Sequence, residues 1–197
     1  MITLYHGSNR QFSKFNLHQE IGSGDGRSVG GYGIYFNKIR EVALEYVTKG
    51  GALYECHVYE DGWWLDLDEE LPADVALSIY KRLIRMKMPV EDSSQFQREF
   101  MTVDEHEIPT GEQTYKWLAA TLNSESNASS FLRSIGCDGT TFLDRGTVDA
   151  ASRTNNPFLL ENGKGRNYVL FDEDNLSIRS METYDELQYK PGDNGDN

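Results

Sequence analysis

The chain has 197 residues, 38% of them hydrophobic and 12% aromatic, which is material for one domain of ordinary size with a real core. Its 19 Lys+Arg against 32 Asp+Glu leave a formal net charge of −13, which excludes sequence-independent coating of nucleic acid and suits a basic partner. Apolar runs stay well short of the roughly 18 residues a membrane span needs, and two cysteines, Cys56 and Cys137, exclude a disulfide scaffold or a CxxC zinc site.

The opening MITLYHGSNR has neither a basic n-region nor an apolar h-region, so a secretory signal is not expected. Two isolated thiols fit a reducing cytoplasm. Residues 2–5 read as a short strand, followed by a glycine-dense stretch from Asn9 to Gly33, a length of loop that tends to be functional or mobile. Residues 33–36 read as a buried strand. Over 39–47 a helix is predicted, with Ile39, Val42, Ala43, Tyr46 and Val47 on one face. Residues 52–59 follow the Gly50–Gly51 break as a strand.

A helix is predicted from Pro72 to Met88, with Val75, Ala76, Ile79, Tyr80, Leu83 and Ile84 recurring at helical spacing. Residues 90–109 are acidic, with a short helix around Phe96 and Phe100. Further helices over 112–123 and 126–135 align Tyr115, Leu118, Ala119 and Leu122, then Ala128, Phe131, Leu132 and Ile135, and Gly136 stops the second. Strands return at 139–143, 167–171 and 175–180, with a loop over 144–166 and a disordered tail from about 189 to 197. The fold class expected is α+β: a single domain over 1–188 with a helical insertion at about 72–135.

Several motifs fail on context. Gly26-Arg27-Ser28-Val29-Gly30 spells the GxSxG nucleophile elbow, yet a glycine loop precedes it and a strand comes after, where the elbow needs a strand and then a helix. Gly22, Gly24 and Gly26 lack the Lys-Ser/Thr and the helix N-terminus of a phosphate loop. Asp104-Glu105-His106-Glu107 is not HExxH, and His18, His57 and His106 are scattered, so no metal is expected.

Leu4-Tyr5-His6-Gly7-Ser8 stands apart because it has company at fixed spacing: Gly31-Tyr32-Gly33-Ile34-Tyr35-Phe36, then Ala43 and Tyr46, then Asn167-Tyr168-Val169-Leu170-Phe171-Asp172. The set resembles the ADP-ribosyltransferase superfamily, in its diphtheria-toxin and poly-ADP-ribose-polymerase branch with a His-Tyr-Glu triad. There the first strand carries H-G-[ST], the second G-[IF]-[YF], and a tyrosine lies eleven residues on, as Tyr46 does from Tyr35. Ala128-Ser129-Ser130-Phe131-Leu132 and Ile135-Gly136-Cys137-Asp138-Gly139 narrow the likeness to the ADP-ribosyltransferase domains of phage and plasmid polyvalent proteins. It runs from about residue 2 to 180.

The resemblance implies a split β-sandwich and cleavage of NAD+, a co-substrate, at the nicotinamide–ribose bond, with transfer of ADP-ribose to a protein or nucleic-acid acceptor. It implies His6, Tyr35 and Asn167 as the catalytic set, and Gly7, Ser8, Arg10 and Tyr46 as NAD+-binding residues. His6 would hydrogen-bond a ribose, the Gly7 main chain would clamp the carboxamide, and Tyr35 and Tyr46 would sandwich the nicotinamide. Arg10, and less directly Arg27, would meet the pyrophosphate. The third triad position departs from the family's glutamate: Asn167 brings no negative charge, and Glu161 and Glu173 are the nearby acids in sequence. A cytoplasmic phage or plasmid toxin or effector is implied, with an antitoxin or basic protein as possible partner. An inactive NAD+-binding module and an NAD+ glycohydrolase are the alternatives.

Overall fold

The computed structural model describes residues 1–17, 30–59, 62–88, 94–98, 108–143 and 165–188. The GxSxG segment up to Val29, Gly22, Gly24, Arg27, His18, residues 104–107, Glu161 and the tail lie outside them. The described chain is mixed α+β: seven strands in one sheet, with helices packed on it.

In chain order the elements are β1 (Ile2–Ser8), β2 (Ile34–Asn37), α1 (Arg40–Leu44), β3 (Ala52–Val58), β4 (Trp63–Asp66) and α2 (Ala73–Arg85). They continue with α3 (Gly111–Thr121), α4 (Glu125–Arg133), β5 (Cys137–Leu143), β6 (Arg166–Leu170), a 3-10 turn at Glu173–Asn175, β7 (Leu176–Thr183) and α5 (Tyr184–Gln188). Residues 94–98 are also helical, and Phe96 is fully buried there.

Local chemistry explains the helix ends. Pro72 stands at the N-cap of α2 in an extended conformation, and α2 buries Ala76, Ile79 and Leu83 at helical spacing. Thr110 and Gln113 form a capping box on α3, and the Ser124 side chain accepts the Asn127 N–H at the start of α4. α1 is shorter than the predicted 39–47. It ends at Leu44, buries only Ala43, and gives way to a turn before β-branched Val47 and Thr48.

Strands lie in the order β4-β5-β6-β2-β1-β3-β7, antiparallel except for β4 beside β5. The sheet is unevenly joined. β1 and β3 are in register from Ile2↔Val58 to Ser8↔Ala52, and β2 and β6 from Ile34↔Leu170 to Asn37↔Asn167. Between β1 and β2 the registered contact is one pair, Tyr5↔Asn37. The sheet therefore consists of a four-stranded part (β4-β5-β6-β2) and a three-stranded part (β1-β3-β7) meeting at a narrow seam.

Each face of the sheet has its own core. One core joins Leu65, Val169, Phe171 and the half-buried Tyr35 and Phe142 to α2, α3 and α4. The other gathers Leu4, Ile34, Phe36, Tyr54, Cys56, Val58 and Leu170 under Phe15, with Phe12 packed against it. This alternation is the two-residue period of a strand buried on both sides. α1 lies on β1 and β2. Among the described residues no helix is long and apolar enough to cross a membrane.

Candidate active site

His6, Gly7 and Tyr35 stand on the two lips of the seam. β1 runs through Ser8 rather than ending near Tyr5, so His6 and Gly7 are strand residues. Beyond the Tyr5↔Asn37 pair the His6 side chain makes the link to β2: its Nδ1 lies 2.7 Å from the Tyr35 main-chain oxygen. A carbonyl only accepts, so Nδ1 carries the proton and Nε2 is left as an acceptor. The ring is half-buried among Phe15, Phe36, Phe12 and Tyr54, with centroids 5.1–6.1 Å away. Burial pulls its pKa down to about 4, against the Tyr35 hydrogen bond, and the Arg10 charge pulls the same way. His6 is neutral at pH 7.

Gly7 answers a different constraint. A Cβ there would lie 1.9 Å from the Ala43 carbonyl oxygen and 3.0 Å from the Tyr46 Cβ. Glycine at this position lets the end of α1 settle onto β1 and brings Tyr46 beside the Gly7 backbone. Tyr46 is 63% exposed, so it is not the core aromatic that its place on the predicted helix face would make it.

The Tyr35 ring packs toward the helical core. Its hydroxyl accepts the Gly30 N–H at 3.2 Å and donates to the Gly31 carbonyl at 2.8 Å. Burial pushes its pKa up to about 12, so the phenol keeps its proton. Ser8 is buried, and its Oγ accepts the Arg10 N–H at 3.3 Å.

Asn167 pairs with Asn37, and its Oδ1 accepts from Asn37 Nδ2 at 2.9 Å. Asn37 is buried, and its own Oδ1 accepts the Ile39 N–H at 2.7 Å, tying the start of α1 to β2. Strand register puts Gly7, Tyr35 and Asn167 on one face of the sheet and the His6 ring on the other. The expected catalytic side chains thus do not converge on one another: they border the seam from both faces. Glu173 sits in the 3-10 turn Glu173–Asn175, past the end of β6 at Leu170.

Residues that the sequence did not mark as site residues reach the turn before Tyr35. Tyr115, Ser129 and Thr140 hydrogen-bond the turn that leads into β2, and the charge of half-buried Glu125 is felt by the Tyr35 phenol. Tyr115 and Ser129 lie at buried helical positions, where a pattern search reads packing alone. Among the described residues, no group of three or more His, Cys, Asp or Glu side chains is placed to hold a metal ion. No family model, curated protein or solved structure matches the chain.

Proposed function

We propose that the chain is an NAD+-dependent ADP-ribosyltransferase on a split β-sandwich, with the seam between β1 and β2 as its NAD+ site. The observation that carries this reading is the opening of the sheet between His6-Gly7 and Tyr35, with Tyr46 standing exposed beside Gly7. Those are the residues whose types and order resemble the His-Tyr branch.

In the reaction the bond between the nicotinamide nitrogen and the ribose anomeric carbon breaks, and its electron pair leaves with nicotinamide, which departs neutral. An acceptor nucleophile forms the new bond from its lone pair and loses a proton. The protein's part is to orient the donor and favour the positive charge that develops on the ribose. The neutral His6, with Nε2 as acceptor, suits a ribose hydroxyl. Main-chain groups at Gly7 suit the carboxamide, and the Tyr46 ring suits the pyridinium by stacking and cation–π attraction. Tyr35 supplies a fixed wall, and Arg10 with Ser8 comes next, at the end of β1, for the pyrophosphate side. Asn167 offers a neutral acceptor in place of a carboxylate. The acceptor is a protein or a nucleic acid met only briefly, and the role is that of a phage or plasmid effector or toxin.

Engagement of the Asn167 carbonyl by Asn37 favours one second reading, an NAD+-binding module that does no transfer. Transfer of labelled ADP-ribose from NAD+ in bacterial lysate separates them, with His6→Ala as control and protease or nuclease applied before counting. His6-dependent label establishes the transferase, and the enzyme that removes the label names the acceptor class. Nicotinamide release without label means a glycohydrolase. Binding with neither means a module.

A further inference from the structure

The turn Gly30–Tyr32 is held by side-chain hydroxyls from four elements. Thr140 on β5 donates to the Gly30 carbonyl at 2.5 Å, and Tyr35 on β2 bridges the Gly30 N–H and the Gly31 carbonyl. Tyr115 on α3 accepts the Tyr32 N–H at 2.9 Å, and Ser129 on α4 donates to the Tyr32 carbonyl at 2.8 Å. Ser129 has one hydroxyl proton, already given to Tyr32. The 2.8 Å contact between Tyr115 and Ser129 is therefore donated by Tyr115. Three bonds close a ring: Tyr32 N–H to Tyr115, Tyr115 O–H to Ser129, Ser129 O–H to the Tyr32 carbonyl. The Glu125 carbonyl, 3.1 Å from the Tyr115 hydroxyl, is a second acceptor for the same proton.

Steric contact reinforces the ring. Gly31 has φ +106°, and a Cβ on it would lie 2.6 Å from Tyr115 Cζ. The turn is thus pressed onto the Tyr115 ring as well as hydrogen-bonded to it. Tyr115 and Ser129 are 5% and 3% exposed, so water does not readily replace either hydroxyl.

We propose that Tyr115 and Ser129 are positioning residues for the substrate site, acting on Tyr35 through the Gly30–Tyr32 turn. The inference rests on the reading of the seam as the NAD+ site and assigns the helices α3 and α4 a part in it. Tyr35 stands on a four-residue strand with the open seam on one side, and the far end of its ring is tied to the main chain of this turn. Where the turn goes, the ring goes. A closed ring of hydrogen bonds holds its members more rigidly than separate pairs, and it opens when one hydroxyl is lost.

The test uses the full chain with Tyr115→Phe, Ser129→Ala, Tyr35→Phe and the Tyr115→Phe/Tyr35→Phe double variant. Nicotinamide release from NAD+ gives kcat and KM, and NMR hydrogen exchange tracks the Gly30 N–H, whose acceptor is the Tyr35 hydroxyl. Tyr115→Phe and Tyr35→Phe are each expected to raise the NAD+ KM about tenfold with a smaller change in kcat, and the double variant to be no worse than the larger single, because both act on one geometry. Faster Gly30 exchange is expected in Tyr115→Phe although Tyr115 does not touch that amide. Lys116→Ala, on the exposed side of α3, leaves all three readouts unchanged.

Should Tyr115→Phe fail to fold, Ser129→Ala opens the same ring from its other side by removing one hydroxyl on α4. Wild-type KM with unchanged Gly30 exchange in the folded variants overturns the proposal, as do effects of Tyr115→Phe and Tyr35→Phe that simply multiply. A wild-type chain that neither binds nor cleaves NAD+ overturns the reading of the site instead. Gly30 exchange then still decides whether Tyr115 positions Tyr35.

Discussion

His6 Nδ1 and the main-chain oxygen of Tyr35 are 2.7 Å apart, so a side chain takes the place of a ladder bond between two neighbouring strands. The arrangement fixes the imidazole tautomer and leaves the strand edges beyond it without a registered pair, while burial keeps the ring neutral. On the proposed reading, stability and substrate recognition both draw on the same ring.

The first consequence is a pH dependence. In the unfolded chain His6 titrates at its ordinary value of 6.5, and in the folded chain at about 4. The unfolded state therefore takes up the proton first as pH falls. The contribution is complete above pH 6.5 and is lost between 6.5 and 4, up to about 3 kcal/mol if the whole shift is realised. Denaturant unfolding at pH 7 and pH 4.5 is expected to show a steeper fall for the wild type than for His6→Asn, whose amide N–H keeps a donor for Tyr35. Parallel falls would contradict a neutral, half-buried imidazole.

Gly7→Ala tests the packing of α1. The new methyl meets the Ala43 carbonyl, which is main chain and cannot rotate away. Overpacking of this kind costs about 1–3 kcal/mol, and the shift of α1 carries Tyr46 with it. Both a lower Tm and weaker NAD+ binding are expected, measured by scanning calorimetry and titration calorimetry.

Tyr46→Ala separates binding from folding. At 63% exposure the ring contributes little to stability, so the change is expected within about 0.5 kcal/mol of the wild type. Loss of a stacked, cation–π contact weakens NAD+ by about 0.5–2 kcal/mol. Tyr46→Phe is expected to retain most of the affinity. An equal loss in both variants would assign the effect to the hydroxyl.

Asn167 offers a gain of function. On the proposed reading a glutamate there adds the charge a ribose cation calls for, so nicotinamide release is expected to rise about ten- to a hundredfold. Asn167→Ala instead leaves the buried Asn37 amide without this acceptor and is expected to cost about 1–3 kcal/mol in stability. Stopped assays at saturating NAD+ and denaturant melts read the two effects separately.

The sequence carried most of the strands and helices because their apolar spacing is regular: Ala76, Ile79 and Leu83 on α2, Ala128, Phe131 and Leu132 on α4. It did not carry β4, four residues whose place comes from parallel pairing with β5, 74 residues away at Trp63↔Cys137. It also overextended α1, since the apolar period runs on through Tyr46 and Val47 while the chain has already turned. For the candidate site, residue types and order pointed to His6, Tyr35 and Tyr46. The seam is a property of pairing between β1 and β2, which periodicity within either strand does not encode. The hydroxyls of Tyr115, Ser129 and Thr140 reach the Gly30–Tyr32 turn from residues 83, 97 and 110 positions away, beyond any local pattern.

A sheet whose strand pairing across the middle is one registered pair is laddered as two plates on a common edge. Bending within either plate breaks ladders of several rungs, whereas rotation about the Tyr5–Asn37 rung disturbs far fewer bonds, chiefly that rung and the His6 strap. A molecule that grips both lips supplies the cross-links the backbone omits, so occupancy and stiffness rise together. On the proposed reading, amides along the seam are expected to be the first whose exchange slows as NAD+ is added, as the plates become one.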